Sequence, residues 1–295
     1  MANSGSEKTY GQLYGKWAVA LVGLFSKGPA KPGDAYGAPG QGSSVAISIV
    51  SSLTLLLLWY LVTAVWQLLP PLFLPAPATI AHRFTEVLTE GFGGGTLLQH
   101  TWASFVRVFS AFFLSCVTAI PIGILMGVNR VARGIFDPPI EFYRPIPPLA
   151  YLPLMVIWFG IGETNKIIVI YLAIFAPMVL NARAGVRSVS IEQIHAAYSM
   201  GATRMQVIWH VILKGAMPEI LTGMRIGIGF GWTTLVAAEL VAAQQGLGAM
   251  IQQASDFLVT DVVILGIVVI GGIAYLFDLL MRYLERLLVP WKGQV

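Results

Sequence analysis

Between Val45 and Leu69 the chain runs for 25 residues without a charged side chain, carrying Trp59, Tyr60 and Trp66 and ending at Pro70-Pro71. A helix crossing a bilayer core of about 30 Å needs roughly 20 such residues, because no water is present there to satisfy exposed backbone groups. The run is too long, and too far from the N-terminus, for a signal peptide. Val108–Val128 is a second uncharged run, of 21 residues. Pro145–Gly162 is a third, broken by Pro145, Pro147, Pro148 and Pro153, and Ile167–Ala182 is a fourth. Met217–Ala243 reads as a fifth despite Glu219, Arg225 and Glu239, and Val262–Phe277, extending towards Arg282, as a sixth. The expectation is an all-α, polytopic membrane protein with about six transmembrane helices.

Composition excludes the alternatives to a membrane fold. Only 11% of the residues are charged, against about a quarter in soluble domains. A soluble enzyme, a nucleic-acid module and a disordered chain are all poor fits. The excess of Lys+Arg over Asp+Glu, 18 against 14, is no argument for a nucleic-acid partner. Cys116, the single cysteine, permits neither an internal disulfide nor a Cys-based metal site. Charge placement is more informative. Lys8, Lys16, Lys27 and Lys31, then Arg130, Arg133 and Arg144, then Arg183, Arg187, Arg204 and Lys214, and finally Arg282, Arg286 and Lys292 all fall on one side. The other side offers only Arg83 and Lys166 as loop cations, amid Glu86, Glu90, Glu163, Asp256 and Asp261. The positive-inside rule then places both termini in the cytoplasm.

Residues 1–43 read as a cytoplasmic tail, mildly apolar over Tyr10–Phe25 and Gly/Pro-rich over Gly28–Gly42. Residues 44–69 hold the first membrane helix, 97–282 a core domain, and 283–295 a C-terminal tail. No repeat of solenoid period is visible.

The loop over 187–214 is the most informative stretch. Ser190 with Gln193, and Thr203 with Gln206, have capping-box spacing. Ile191, Ile194 and Tyr198 fall on one helical face, and Gly201 suits a left-handed helix stop. The spacing predicts a short helix, a glycine elbow and a second amphipathic helix. Such a knob rests on headgroups or is gripped by a cytoplasmic partner.

Within this loop, His195-Ala196-Ala197, three residues, Gly201, nine residues and Val211-Ile212-Leu213 resemble the coupling-helix signature of ABC importer permeases. That pattern runs Glu-Ala-Ala, Gly, then Ile-x-Leu-Pro; here His195 replaces Glu and Lys214 replaces Pro. Tyr143–Thr164, Pro218–Gly227, Thr234–Leu240 and Pro290-Trp-Lys-Gly are similar to the taurine/nitrate/sulfonate branch of those permeases. The resemblance runs from about Pro71 to the C-terminus. It implies the type I importer fold in a bacterial inner membrane, with ATPase contacts at His195, Ala196, Ala197, Gly201, Val211 and Leu213. It also implies two ATPase subunits that bind the ATP, a second permease copy and a periplasmic substrate-binding protein. The implied cargo is a small anion, taurine or a related alkanesulfonate, with nitrate or another small solute as the alternative.

Three charges look out of place in lipid, where each costs roughly 2.5–3.5 kcal/mol on insertion scales. Arg225 and Glu239 lie 14 residues apart, about 21 Å along a helix, and cannot pair within it. Either they reach opposite interfaces or they line a wet path; Arg107 has the same two readings. An ion-coupled secondary transporter is the alternative of a different class, and it calls for acids or histidines at mid-membrane in several spans. Gly223, Gly227 and Gly231 recur every four residues and suit close helix packing. No G-x-x-x-x-G-K-[ST] loop is present, and His82, His100, His195 and His210 lack metal spacing, so no cofactor and no catalytic residue are expected in this chain.

Overall fold

A computed structural model describes residues 45–290, so the readings of Tyr10–Phe25, Gly28–Gly42 and Trp291-Lys-Gly lie outside the described residues. The chain divides into two units at Leu57. To the first belongs most of α1 (Val45–Tyr60), whose Leu53, Leu55, Leu56 and Leu57 are exposed, as suits a helix bathed in lipid.

The second unit begins at Leu58. A π-helical turn over Leu61–Val65 closes the first run, and the Trp59 indole donates to the Pro75 carbonyl at 3.2 Å. There follow α2 (Pro77–Thr89), α3 (Leu97–Val128), α4 (Arg130–Tyr143), α5 (Pro148–Phe159), α6 (Glu163–Ser188) and α7 (Ile191–Ser199). The chain ends with α8 (Arg204–Val207), a π-turn over Ile208–Ile212, α9 (Leu213–Ala242), α10 (Leu247–Asp256) and α11 (Thr260–Leu288). Among the described residues there is no strand, only one isolated bridge between Phe92 and Gly95.

Among the described residues, five helices are long and apolar enough to cross a membrane. The third expected span appears instead as α5, of 12 residues. At 1.5 Å per residue it reaches about 18 Å, short of a bilayer core. Its prolines explain this: Pro147-Pro148 start the helix and Gly160, at φ +75°, ends it.

At the centre lies α6, packed along α3 on one side and α9 on the other. Small residues set the spacing. A Cβ on Gly123 would lie 2.6 Å from that of Ala182, and one on Gly223 would lie 2.6 Å from that of Asn181. Gly227 and Gly231 meet Ile174, so the four-residue glycine stripe faces α6, whereas Gly271 and Gly272 face open space. Around these contacts Val108, Ile170, Ile174, Met178, Val179 and Leu235 form the core. A second cluster joins α2, α10 and α11 through Val87, Leu247, Met250 and Val262. The Arg83 guanidinium clips α2 to α11, with Nε 2.9 Å from Asp261 and an Nη 2.7 Å from Glu86.

Candidate functional site

The elbow is built by local capping. At the start of α7 the Ser190 hydroxyl accepts from the Gln193 amide at 3.3 Å. The Glu192 carboxyl is held below its usual range by its own amide and the Ser190 hydroxyl, and a carboxylate suits a helix N-terminus. At the start of α8, Thr203 and Gln206 form a full reciprocal box: Gln206 Oε1 accepts from the Thr203 amide at 2.8 Å, and Thr203 Oγ1 accepts from the Gln206 amide at 3.4 Å. Between the helices Gly201 sits at φ +81°, a left-handed conformation that costs a residue with a Cβ roughly 1 kcal/mol or more. Its Ala202 neighbour donates back to the Ala197 carbonyl at 3.1 Å.

The apolar face expected at Ile191, Ile194 and Tyr198 is turned. Ile191 and Tyr198 are exposed, Ile194 is half-buried, and Ala197 is buried against Val207, Ile212 and Ala216. Alanine's short side chain lets α7 come close to α8 and the π-turn, and this close approach turns Ala197 inward. His195 and Ala196 stay exposed, and Val211 and Leu213 are half-buried. Ala196, Ala197, Met200 and Val211 line a groove of about 520 Å³, while Met200, Met205 and Trp209 stand exposed around the elbow. From α8 through the π-turn to α9 the chain runs as one continuous helical stretch, Arg204–Val241.

The opposite end of α9 carries a network that draws in two of the three anomalous charges. Arg107 of α3 donates from one Nη to Glu239 Oε1 at 2.6 Å and to the Gln245 carbonyl at 2.6 Å. Its Nε and second Nη grip both oxygens of Glu163 on α6, at 2.5 and 2.8 Å. Lys166 adds a 2.9 Å contact to Glu163. Ser104 donates to Glu239 at 2.8 Å and accepts from the Leu247 amide at 2.8 Å, and the Gly248 amide donates to Glu239 at 2.8 Å. The Gly246 amide donates to His100 Nδ1 at 3.1 Å, which leaves the ring proton on Nε2, 2.8 Å from the Phe92 carbonyl. Two cations, two carboxylates, a serine and a histidine thus fasten α3, α6 and α9 to the Gln245–Gly248 turn.

Lys166 is therefore no loop cation: it is buried in the first turn of α6 because Glu163 is its partner there. Sequence reasoning also missed His100, Ser104, Glu163, Gly246 and Gly248. One signal was available for the first two: His100, Ser104 and Arg107 recur at helical spacing on one face behind the Thr96 capping box.

Arg225 stands apart. From α9 its Nε lies 3.8 Å from Asp278 and an Nη 3.5 Å from Glu285, both on α11, and it is about one-third exposed. No metal-binding group of His, Cys, Asp and Glu occurs among the described residues.

With its bundle of apolar helices, its small-residue packing and its capped helix–glycine–helix elbow, the chain is a membrane permease of the ABC importer class, as its relatives show. The chain belongs to the family of binding-protein-dependent transport system inner membrane components, whose sequence profile matches residues 119–289. It is 56% identical over 252 residues to the taurine transport system permease protein TauC of Escherichia coli K12, covering 85% of this chain and 91% of that one. It is 35% identical over 244 residues to the putative aliphatic sulfonates transport permease protein SsuC of Bacillus subtilis 168, covering 81% and 87%. Among solved structures, an amino acid ABC transporter superposes with a TM-score of 0.53 at 18% identity, covering 70% of this chain and 94% of that one, which speaks for the fold alone. Family membership displaces the ion-coupled secondary transporter.

Proposed function

We propose that this chain is the permease of an ATP-driven importer of taurine or a closely related alkanesulfonate. The 56% identity to TauC across most of both chains carries the choice of cargo. We read the partners as two ATPase subunits gripping the two elbows of a permease dimer, with a periplasmic binding protein delivering substrate. ATP is bound and hydrolysed by those subunits, and both termini lie in the cytoplasm.

The geometry supports a lever. ATPase closure pushes the elbow at His195–Gly201, and the push enters α9 through the π-turn, which runs into it without a break. At its far end α9 is held by Glu239 to α3 and, through Arg107, to α6. A bar driven at one end and fastened at the other swings its neighbours as a body, a two-state motion that nucleotide biases. In this reading Arg107 and Glu239 are fastenings rather than path charges.

Uptake of labelled taurine in cells that lack their own taurine uptake, supplied with this chain, its ATPase and its binding protein, tests the proposal. Energy-dependent accumulation is expected. Accumulation of nitrate with none of taurine would overturn the cargo.

A further inference from the structure

The third membrane passage is made in two pieces, α4 and α5. Just before α4, Gly127 of α3 lies against Val186 of α6; along α4, Asp137 pairs with Arg183; beyond its end, Arg144 and Pro145 share a hollow of about 490 Å³ with Ala176 and Pro177. The passage thus climbs beside α6, whose 26 residues reach about 39 Å with Ala176 near the middle. The break at Arg144–Pro147 therefore lies near mid-depth, and Arg144 is no cation of a cytoplasmic loop. Such a break is unsuited to lipid. Pro145 and Pro148 have no amide to give the Glu141 and Arg144 carbonyls four residues back, and irregular backbone at this depth is tolerated only inside protein or beside water. Glu141 and Arg144 are each about half exposed, 3.4 Å apart, and exposed charges at this depth are costly against lipid. Beside the break, α9 turns Gly229 and Thr233 outward, with open space around Gly229. The outward sides of α3 and α11 differ: at Phe113, Val117 and Leu276 they are apolar and uncharged, as suits contact with acyl chains.

We propose that the face formed by the break, α5 and the outward side of α9 is covered by a second copy of this chain, related to the first by a two-fold axis. The inference rests on the permease-dimer reading above and adds to it the surface through which the two copies meet. A two-fold contact has to be self-complementary, and this patch is. Each copy brings a cation and an anion in a loose, half-exposed pair, so Arg144 of either copy has Glu141 of the other as a counter-charge across the axis. Gly229 and Thr233 are small enough to admit a second backbone, and the exposed Ile157 and Trp158 of α5 extend the contact with apolar surface. A second copy on this face keeps lipid from the break, which no outward side of α3 or α11 requires.

The test uses the full chain with its ATPase in native membranes, in a Cys116→Ser background. Single cysteines are placed at Ile157 and Thr233 on the proposed face, and at Phe113 and Leu276 as controls; all four positions are exposed, so folding should be unaffected. A short bifunctional thiosulfonate should join two chains through Ile157→Cys and Thr233→Cys and leave Phe113→Cys and Leu276→Cys as single chains. A second measurement reads the charges. Two differently tagged chains, one Arg144→Glu and the other Glu141→Arg, should when co-expressed pair with each other about fivefold more often than with themselves, since each like pairing sets equal charges across the axis twice. An ion pair confined to one chain predicts no such preference, and random pairing would overturn the cross-axis contact. The mass of the purified complex gives the number of copies. Two copies with no cross-link at Ile157 or Thr233, the result expected if lipid covers this face, would overturn the surface and leave the dimer standing. A single copy in the complex would overturn the dimer reading itself, and the surface with it.

Discussion

Arg107 and Glu239, 132 positions apart in the chain, meet at 2.6 Å with both side chains withdrawn from the surface. Neither residue satisfies the other completely. Arg107 is completed by Glu163 and the Gln245 carbonyl, and Glu239 by Ser104 and the Gly248 amide. The pair is thus the middle of a network that joins three membrane helices at one end.

Removing one member strands the other. Glu239→Ala and Arg107→Ala are each expected to destabilise the folded permease by about 3–5 kcal/mol, the cost of leaving a buried charge alone. The double variant should lose clearly less than the sum of the two. Thermal unfolding of the purified proteins in detergent gives the cycle; strict additivity would show that the two do not act on each other.

Gly246 is held at φ +140°, and a Cβ there would run into the Glu239 carboxylate. Gly94 is at φ +88° with open space around it. Gly94→Ala should therefore cost only the backbone strain, roughly 1 kcal/mol. Gly246→Ala should cost that and displace Glu239 as well, which predicts a markedly lower melting temperature and faster proteolysis in the membrane. Equal melting temperatures for the two variants would contradict the contact.

Gly201 tests the elbow. Nothing lies within 4 Å of the position its Cβ would take, so the penalty of Gly201→Val is backbone strain and not a clash. Insertion into the membrane should be normal, and substrate-stimulated ATP hydrolysis by the reconstituted complex should fall. Gly201→Asn, which tolerates the left-handed region better, should recover much of it. Full stimulation in Gly201→Val would remove the elbow from the mechanism.

Arg225 reaches two acids at 3.8 and 3.5 Å, contacts set by charge and too long for a bidentate fork. Lysine can supply the same charge. Arg225→Lys should melt within about 0.5 kcal/mol of the parent, and Arg225→Gln should lose up to about 1 kcal/mol, as for a partly exposed pair. A large loss in Arg225→Lys would point to guanidinium-specific bonding.

Much of the fold was legible because lipid leaves the chain few choices. Runs such as Val108–Val128 and Ile167–Ala182 can only be helices, and capping residues at 190, 193, 203 and 206 mark the elbow without help from any distant contact. The limits of those runs were less legible. Hydropathy starts the second span at Val108, but α3 begins at Leu97. His100, Ser104 and Arg107 lower the apolar average, and only the partners they find on α6, α9 and the turn before α10 show why they are inside.

Local rules of this kind act within a few residues, so the sequence by itself determined that the chain is helical and membrane-embedded, where the elbow falls, and that Arg107, Arg225 and Glu239 needed a reason. Tertiary structure decided what the reason was. Burying Glu239 is possible only where Arg107, Ser104 and the Gly248 amide converge on it from three segments, because an ionised carboxylate in a low-dielectric interior is stable only when its charge is matched and its oxygens are hydrogen-bonded. No spacing along the chain encodes that convergence. The packing of α3 and α9 against α6 sets it, together with Gly246 and Gly248, whose lack of a Cβ leaves room for the Glu239 side chain.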